Sequence, residues 1–236
     1  MNAKGAGKKV GFIHTTPATI EMAEKYMRLY LPQTEFIHIY DGNVKIDNFK
    51  SPVGVTPKSN LLRYAIFADQ LERAGCGVIV SCCSLMPRAV AYAKEVVSVP
   101  FIQLDAVILD QAVEQFSRIG VINTTEYVVP YVAEGLKARA ARLNKEIEIV
   151  FSNNVAVLEL FNAGEYEQYG DIVVKDIQKL DDAGVDGILM GQIPFAMMEE
   201  KIKKLSLKTP VLYAGFDAFK RIGDLLEHGS KYLKKR

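Results

Sequence analysis

Two adjacent cysteines, Cys82 and Cys83, end a short apolar run in the stretch "AGCGVIVSCCS", residues 74–84. A thiolate can act as a nucleophile or can accept a proton from carbon. Side chains alternate along a strand, so the two cysteines should point to opposite faces. We interpret Cys83 as the candidate for chemistry and Cys82 as structural, together with Cys76, which precedes the strand. The alternative for Cys83 is a small buried side chain without a chemical role.

The position of Cys83 also suggests how its thiol would be activated. We expect a helix to start at Cys83, where the helix dipole lowers the pKa of a thiol. His14 ends the first predicted strand and could orient or deprotonate Cys83; the alternative is a packed, hydrogen-bonded histidine. His38 is interpreted as structural and His228 as solvent-exposed. Three scattered histidines lack the spacing of a metal site, so no metal is expected.

The elements that must position these residues follow from the periodicity of the chain. Short β-branched runs alternate with longer amphipathic stretches, which is typical of βαβ units and a parallel sheet. The predicted strands are "VGFIH", "EFIHIY", "GVIVS", "PFIQL", "IGVIN", "IEIVF", "GILM" and "PVLY". Helical spacing of apolar residues predicts helices over 17–31, 58–74, 126–143 and 166–183. The predicted fold class is α/β.

The sequence also repeats itself. "VGFIHTTPATI" begins at Val10, and the similar "IGVINTTEYVV" begins at Ile119. The same offset separates "AGCGVIVSCC" from "AGVDGILMGQ" and places Gln192 opposite Cys83. A third pair, "VPFIQL" and "TPVLYA", follows in nearly the same register. Three segments in register favour a duplicated architecture over a chance match.

The repeat predicts two pseudo-symmetric lobes, each a parallel sheet flanked by helices. The expected first lobe comprises residues 1–105 plus 211–236, and the expected second lobe comprises residues 106–210. Ligands of parallel sheets bind beyond the carboxyl ends of the strands. We therefore expect an active-site cleft between the two lobes.

Hydroxyl side chains follow the predicted strands in both halves: Thr15, Thr16, Ser84, Thr124 and Thr125. At the start of a helix, free backbone N–H groups and the helix dipole favour an anion. These residues are therefore candidates for binding an anion. The alternative is that Thr16, Ser84 and Thr125 only cap their helices.

Composition excludes several classes of function. A net charge of +1 argues against a general nucleic-acid binder, and no apolar run approaches the roughly 20 residues of a membrane span.

Three cysteines do not form a disulfide framework, which favours a reducing cytoplasm. The start of the chain lacks the apolar core of a signal peptide. The closing "KYLKKR" is interpreted as a solvated helix end. Nucleotide-binding and serine-hydrolase motifs are absent, so no nucleotide cofactor is expected. Because the net charge argues against nucleic acid, the partner should be a small molecule.

At this point the residues resemble a family. "AGCGVIVSCCS" resembles the first cysteine motif of the cofactor-independent aspartate/glutamate racemase superfamily, and "AGVDGILMGQIPF" resembles the second. The two Thr-Thr loops are also similar. The resemblance implies two thiols on opposite faces of a small carboxylate, hydroxyl groups that hold the carboxylate, no pyridoxal phosphate or metal, and a homodimer. This chain departs from the pattern because Gln192 stands where the second cysteine is expected.

The resemblance leaves three functions open. The first is a racemase or related isomerase acting at the α-carbon of an amino acid or similar carboxylate, with Cys83 as base or acid and Gln192 in a binding role. His14 stands where glutamate racemases place an acidic helper. The second is a decarboxylase of a malonate-like acid, which needs only one thiol. The third is a carboxylate-binding protein without turnover. Lys58 and Arg63 could bind a second carboxylate, or could be solvated residues on a helix.

Overall fold

A computed structural model describes residues 9–228 of the chain. In chain order its elements are β1 (Lys9–His14), α1 (Ala18–Tyr30), β2 (Glu35–Tyr40), α2 (Asn43–Phe49), α3 (Lys58–Arg73), β3 (Val78–Ser81), α4 (Pro87–Ala93), β4 (Phe101–Gln103), α5 (Ala106–Gln115), β5 (Arg118–Asn123), α6 (Val129–Arg142), β6 (Glu148–Asn153), α7 (Ala156–Ala163), α8 (Tyr166–Asp182), β7 (Gly187–Met190), a 3-10 helix (Ile193–Met198), α9 (Glu199–Ile202), β8 (Val211–Leu212) and α10 (Phe216–His228).

The strands form two four-stranded parallel sheets. Their orders are β2-β1-β3-β4 and β6-β5-β7-β8, and every neighbouring pair is parallel. Strands β3 and β7 are buried along their whole length, as expected when helices cover both faces of a parallel sheet. The predicted α/β class, with one parallel sheet in each half of the chain, is confirmed.

The chain divides into two compact units. Among the described residues, the first unit contains 9–106 and 215–228, and the second contains 107–214. Strand β8 pairs with β7, with Val211 opposite Ile188. Residues 211–214 therefore belong to the second unit, whereas the sequence analysis assigned them to the first lobe. Helix α10 begins after this segment and packs on α1, where the rings of Phe219 and Tyr26 stack at 4.9 Å.

The internal repeat extends to the packing of helix on sheet. Gly11 of β1 lies under Leu71 of α3, and a Cβ atom at position 11 would come within 2.8 Å of the leucine side chain. Gly120 of β5 lies under Leu180 of α8 in the same way, with a closest approach of 3.1 Å. The glycine and the leucine both recur at the offset that relates Val10 to Ile119. Each glycine allows the long helix to approach the central strand closely.

Polar side chains are buried at one edge of each sheet. Parallel strands all end at the same edge, and there the structure buries His14, Thr15, Ser81, Ser84 and Asp105 in the first unit and Asn123, Thr124 and Thr125 in the second. Buried polar groups are costly unless they are hydrogen-bonded, so such concentrations mark candidate functional positions.

Residues 9–228 contain no helix long and apolar enough to cross a membrane. Within the same residues no cluster of His, Cys, Asp and Glu has the arrangement of a metal site. The basic stretch "KYLKKR" and the opening glycine-rich stretch up to residue 8 lie outside the described residues.

Candidate active site

Cys83 lies shortly beyond the end of β3, and only 8% of its surface is exposed. Its sulfur nevertheless has polar neighbours: the Thr15 hydroxyl and the backbone N–H of Leu85 both hydrogen-bond to it. Burial is the largest influence and raises the pKa of the Cys83 thiol. The two hydrogen bonds and the Lys45 ammonium act in the opposite direction, while the charge of Asp105 adds to the increase. The sulfur is buried, but it is surrounded by donors that favour a thiolate.

The expected helix start at Cys83 is wrong. Residues 83–86 form a turn in which the Met86 N–H donates to the Cys83 carbonyl at 3.2 Å, and α4 begins at Pro87. The proline prevents an earlier continuous helix because it lacks an N–H group and restricts the residue before it. The Thr15 hydroxyl and the Leu85 N–H therefore take the role that the sequence analysis gave to a helix dipole.

The other two cysteines have no such surroundings. Cys82 is 2% exposed, its N–H continues the ladder by donating to the Ile13 carbonyl at 2.9 Å, and burial raises the pKa of its thiol well above the ordinary value. Burial likewise raises the pKa of Cys76 to about 11. Both fit the structural role expected of them.

His14 does not contact the thiol through a free ring nitrogen. Its Nδ1 lies 2.8 Å from the Thr19 hydroxyl, and its Nε2 lies 2.8 Å from Nδ1 of His38. Burial, followed by the neighbouring His38, lowers the pKa of His14 to about 3. His14 therefore makes no direct hydrogen bond to Cys83 as its base, because both of its ring nitrogens are engaged elsewhere. His228 is exposed, as expected.

The three hydroxyl residues considered as helix caps are not N-caps. Helices α1, α4 and α6 begin after Pro17, Met86 and Val128, and none has a side-chain cap. Thr16 instead offers its carbonyl, which accepts hydrogen bonds from the N–H (3.2 Å) and hydroxyl (2.7 Å) of Thr19.

In the second unit, Gln192 and Thr124 are the counterparts of Cys83 and Thr15 in the sequence repeat. The side-chain oxygen of Gln192 accepts two hydrogen bonds from Thr124, from its backbone N–H at 2.6 Å and from its hydroxyl at 2.9 Å. The neighbouring Thr125 hydroxyl accepts the Tyr127 N–H at 3.3 Å. The amide of Gln192 is thus oriented with its oxygen on Thr124, and its NH₂ group is the part that can donate to a ligand.

Sequence reasoning missed Lys45. This residue lies on the short helix α2, directly after β2, and its ammonium group is close enough to Cys83 to influence the thiol. Burial lowers the pKa of Lys45, and the charge of Cys83 raises it. The available signal was position: a lysine shortly after Tyr40 follows a strand that ends at the same edge of the sheet as His14.

The two cations that were considered for a second carboxylate have other surroundings. Arg63 makes ion pairs with Asp47 and with Asp41, the latter at 3.4 Å, and so joins α3 to the α2 region. Lys58 is exposed at the first turn of α3. Lys58 agrees with the interpretation as a solvated residue on a helix, whereas Arg63 is partly buried and its guanidinium is held by two aspartates.

The profile of the Asp/Glu/Hydantoin racemase family matches residues 10–215. Similar solved structures include glutamate racemase from Francisella tularensis in complex with D-glutamate, at TM-score 0.69 and 15% identity, covering 98% of this chain and 85% of that one. An aspartate racemase homologue from Pyrococcus horikoshii has TM-score 0.69 and 17% identity, with 93% and 99% coverage. Allantoin racemase from Klebsiella pneumoniae has TM-score 0.65 and 17% identity, with 94% and 88% coverage.

A search of curated protein sequences gives no match. At such low sequence identities the structural likenesses establish the fold alone, whereas the profile match extends over most of the chain. The chain therefore belongs to the Asp/Glu/hydantoin racemase family.

Proposed function

We propose that this racemase-family protein is a cofactor-independent isomerase that inverts the α-carbon of a small carboxylate, with Cys83 as the proton-transferring thiol. The observation that carries the proposal is the pair of hydrogen bonds from Thr15 and Leu85 to the Cys83 sulfur at the carboxyl edge of the first sheet. A buried cysteine with only a packing role has no need of two donors on its sulfur.

The proposed inversion takes two proton transfers, one from the α-carbon to Cys83 and one to the opposite face from a second donor, which loses that proton. The Cys83 thiolate takes the α-proton, the S–H bond forms as the C–H bond breaks, and the electron pair enters the carboxylate as an enediolate. Return of a proton to the opposite face gives the inverted product. Because burial raises the pKa of Cys83, the resting side chain is the thiol, and it must lose its proton before it can act as a base. Thr15, Leu85 and Lys45 all favour that ionised form.

Gln192 and Thr124 are assigned a binding role in this proposal. The amide oxygen of Gln192 is occupied by Thr124, so the NH₂ group can donate to a carboxylate or to the developing enediolate. Thr16, Ser84 and Thr125 are assigned to the same task as hydroxyl groups of the neighbouring turns. An amide cannot exchange a proton near neutral pH, so the proton for the opposite face must come from another donor.

Gln192 also favours a second candidate, a decarboxylase of a malonate-like acid. Loss of carbon dioxide generates the carbanion directly, and a single thiol then delivers the only proton required. A thiol whose pKa is raised by burial is protonated at rest, as a donor should be. Isomerisation remains the first proposal because the family to which the chain belongs is a family of racemases.

Incubation in heavy water tests these proposals. The panel contains aspartate, glutamate, hydantoins and substituted malonates. An isomerase exchanges the α-hydrogen of intact substrate for deuterium, whereas a decarboxylase releases carbon dioxide and labels only the product. Cys83→Ser should abolish either activity, and Cys82→Ser is the matched control that should retain it. Normal turnover by Cys83→Ser would refute the assignment of the thiol.

A carboxylate-binding protein without turnover is the remaining alternative. It would give neither exchange nor carbon dioxide, yet a bound carboxylate would raise its melting temperature by mass action. We further propose a homodimer, which sedimentation analysis can test, and a reducing cytoplasmic setting, which suits three free and buried cysteines.

A further inference from the structure

A buried pair of imidazoles lies next to the thiol loop in the first unit. In the register of β1 and β2, His38 stands opposite Phe12, so the side chains of residues 12, 14 and 38 share one face of the sheet. The rings of His14 and His38 are 4.9 Å apart, and their facing nitrogens, Nε2 and Nδ1, are 2.8 Å apart. Phe12 and Phe36 enclose His38, with ring centroids at 5.4 Å and 5.3 Å.

The donor and the acceptor of each hydrogen bond around this pair can be assigned. The Thr19 hydroxyl donates to the Thr16 carbonyl at 2.7 Å, so its oxygen must accept from Nδ1–H of His14. A neutral imidazole has one N–H group, so Nε2 of His14 is the acceptor and Nδ1 of His38 must be the donor. The remaining nitrogen of His38, Nε2, is then unprotonated; it is buried without a hydrogen bond and lies 3.9 Å from the Glu24 carboxylate.

We propose that His38 is a positioning residue for the thiol: by donating from Nδ1 it holds His14 as the Nδ1–H tautomer, and through Thr19 this orders the Thr15–Thr16 loop. This series of hydrogen bonds runs from His38 through His14 and Thr19 to the Thr16 carbonyl. Thr15, the adjacent residue in that loop, is the one whose hydroxyl donates to Cys83. The proposal rests on the proposed function only in taking Cys83 as the working thiol.

The groups that face His38 keep this direction constant over a wide pH range. They are His14 on β1 and Glu24 on α1, and the other close neighbours are phenyl rings. Protonation of His38 would add a hydrogen at Nε2, toward Glu24, and would leave the Nδ1–H bond to His14 unchanged. Only protonation of His14 would change the donor in the hydrogen bond between His14 and His38, and the pKa of His14 is lowered to about 3.

The alkylation rate of Cys83 by iodoacetamide, followed by mass spectrometry of its peptide, tests the proposal without any substrate. His38→Phe removes the donor, so the Thr15 hydroxyl loses its fixed position and the thiolate loses a hydrogen bond. We expect alkylation at a fixed pH below the thiol pKa to slow about two- to tenfold, the value of one ordinary hydrogen bond. His38→Asn is the matched variant, since its side-chain NH₂ can donate where Nδ1 did, and it should react within about twofold of the wild-type rate.

The proposal would be overturned if Cys83 in His38→Phe were alkylated at the wild-type rate, or if His38→Phe and His38→Asn lost the same fraction of that rate. A second measurement needs no variant: ¹⁵N NMR of the imidazoles should show both His14 and His38 as Nδ1–H tautomers at neutral pH, and an Nε2–H tautomer for His14 would also overturn it. Failure of the proposed function has a different signature, since Cys83→Ser would then turn over normally while the effect of His38→Phe on thiol reactivity persists.

Discussion

The buried imidazole of His14 should make the protein lose stability in mild acid. The ring is fully buried, and a proton added to Nε2 would face the Nδ1–H donor of His38. The pKa of His14 falls from 6.5 to about 3, first through burial and then through His38. The unfolded chain therefore binds this proton before the folded protein does. The stabilisation is fully present above pH 6.5 and is lost progressively as the pH falls toward 3.

The magnitude follows from the size of the shift. One proton taken up on unfolding changes the free energy of unfolding by about 1.4 kcal/mol per pH unit, and the whole window corresponds to about 5 kcal/mol. That is a large part of the roughly 5–15 kcal/mol by which a folded domain is stable. His14→Gln retains an acceptor for His38 but has no group that titrates. Its stability should therefore depend on pH less steeply, by about one proton, although it is less stable at pH 7.

Urea unfolding followed by circular dichroism, repeated between pH 4 and pH 6.5, measures the two slopes. Carboxylates that also titrate in this range are common to both proteins and cancel in the comparison. His228→Asn, which replaces an exposed histidine, is the control and should follow the wild type. Equal slopes for wild type and His14→Gln would refute the account of His14 as a neutral, buried ring.

Two further predictions concern the residues around the thiol and its counterpart. Lys45→Met should slow alkylation of Cys83, because the thiolate loses a neighbouring positive charge. Lys50→Met, at the end of the same helix, is the control and should leave the rate unchanged. Equal alkylation rates in the wild type and both variants would show that Lys45 does not act on the thiol. Thr124→Val should reduce the free energy of unfolding by about 0.5–1.5 kcal/mol and raise KM, because Gln192 loses one of its two donors, while Thr124→Ser should keep both properties. Urea unfolding and steady-state kinetics check these values, and a valine variant as stable as the serine variant would contradict them.

The sequence determined the class of fold because its periodicities are local. A β-branched run such as "GVIVS" specifies a buried strand wherever it lies, and apolar residues at helical spacing over 58–74 specify the helix observed at Lys58–Arg73. The constant offset between the two halves similarly predicted two equivalent sheets, and even the Gly11–Leu71 and Gly120–Leu180 contacts obey it.

The partners of individual side chains were decided only by the tertiary structure. His14 looked available to Cys83 because His14 ends one strand and Cys83 follows another. The register of β1 with β2 instead brings His38 to one ring nitrogen of His14, and α1 brings Thr19 to the other. Lys45 reaches the neighbourhood of the thiol through the path of α2. Contacts of this kind join residues from different elements, and hydrogen bonds and burial, which fix tautomers and pKa values, depend on that assembly more than on residue order.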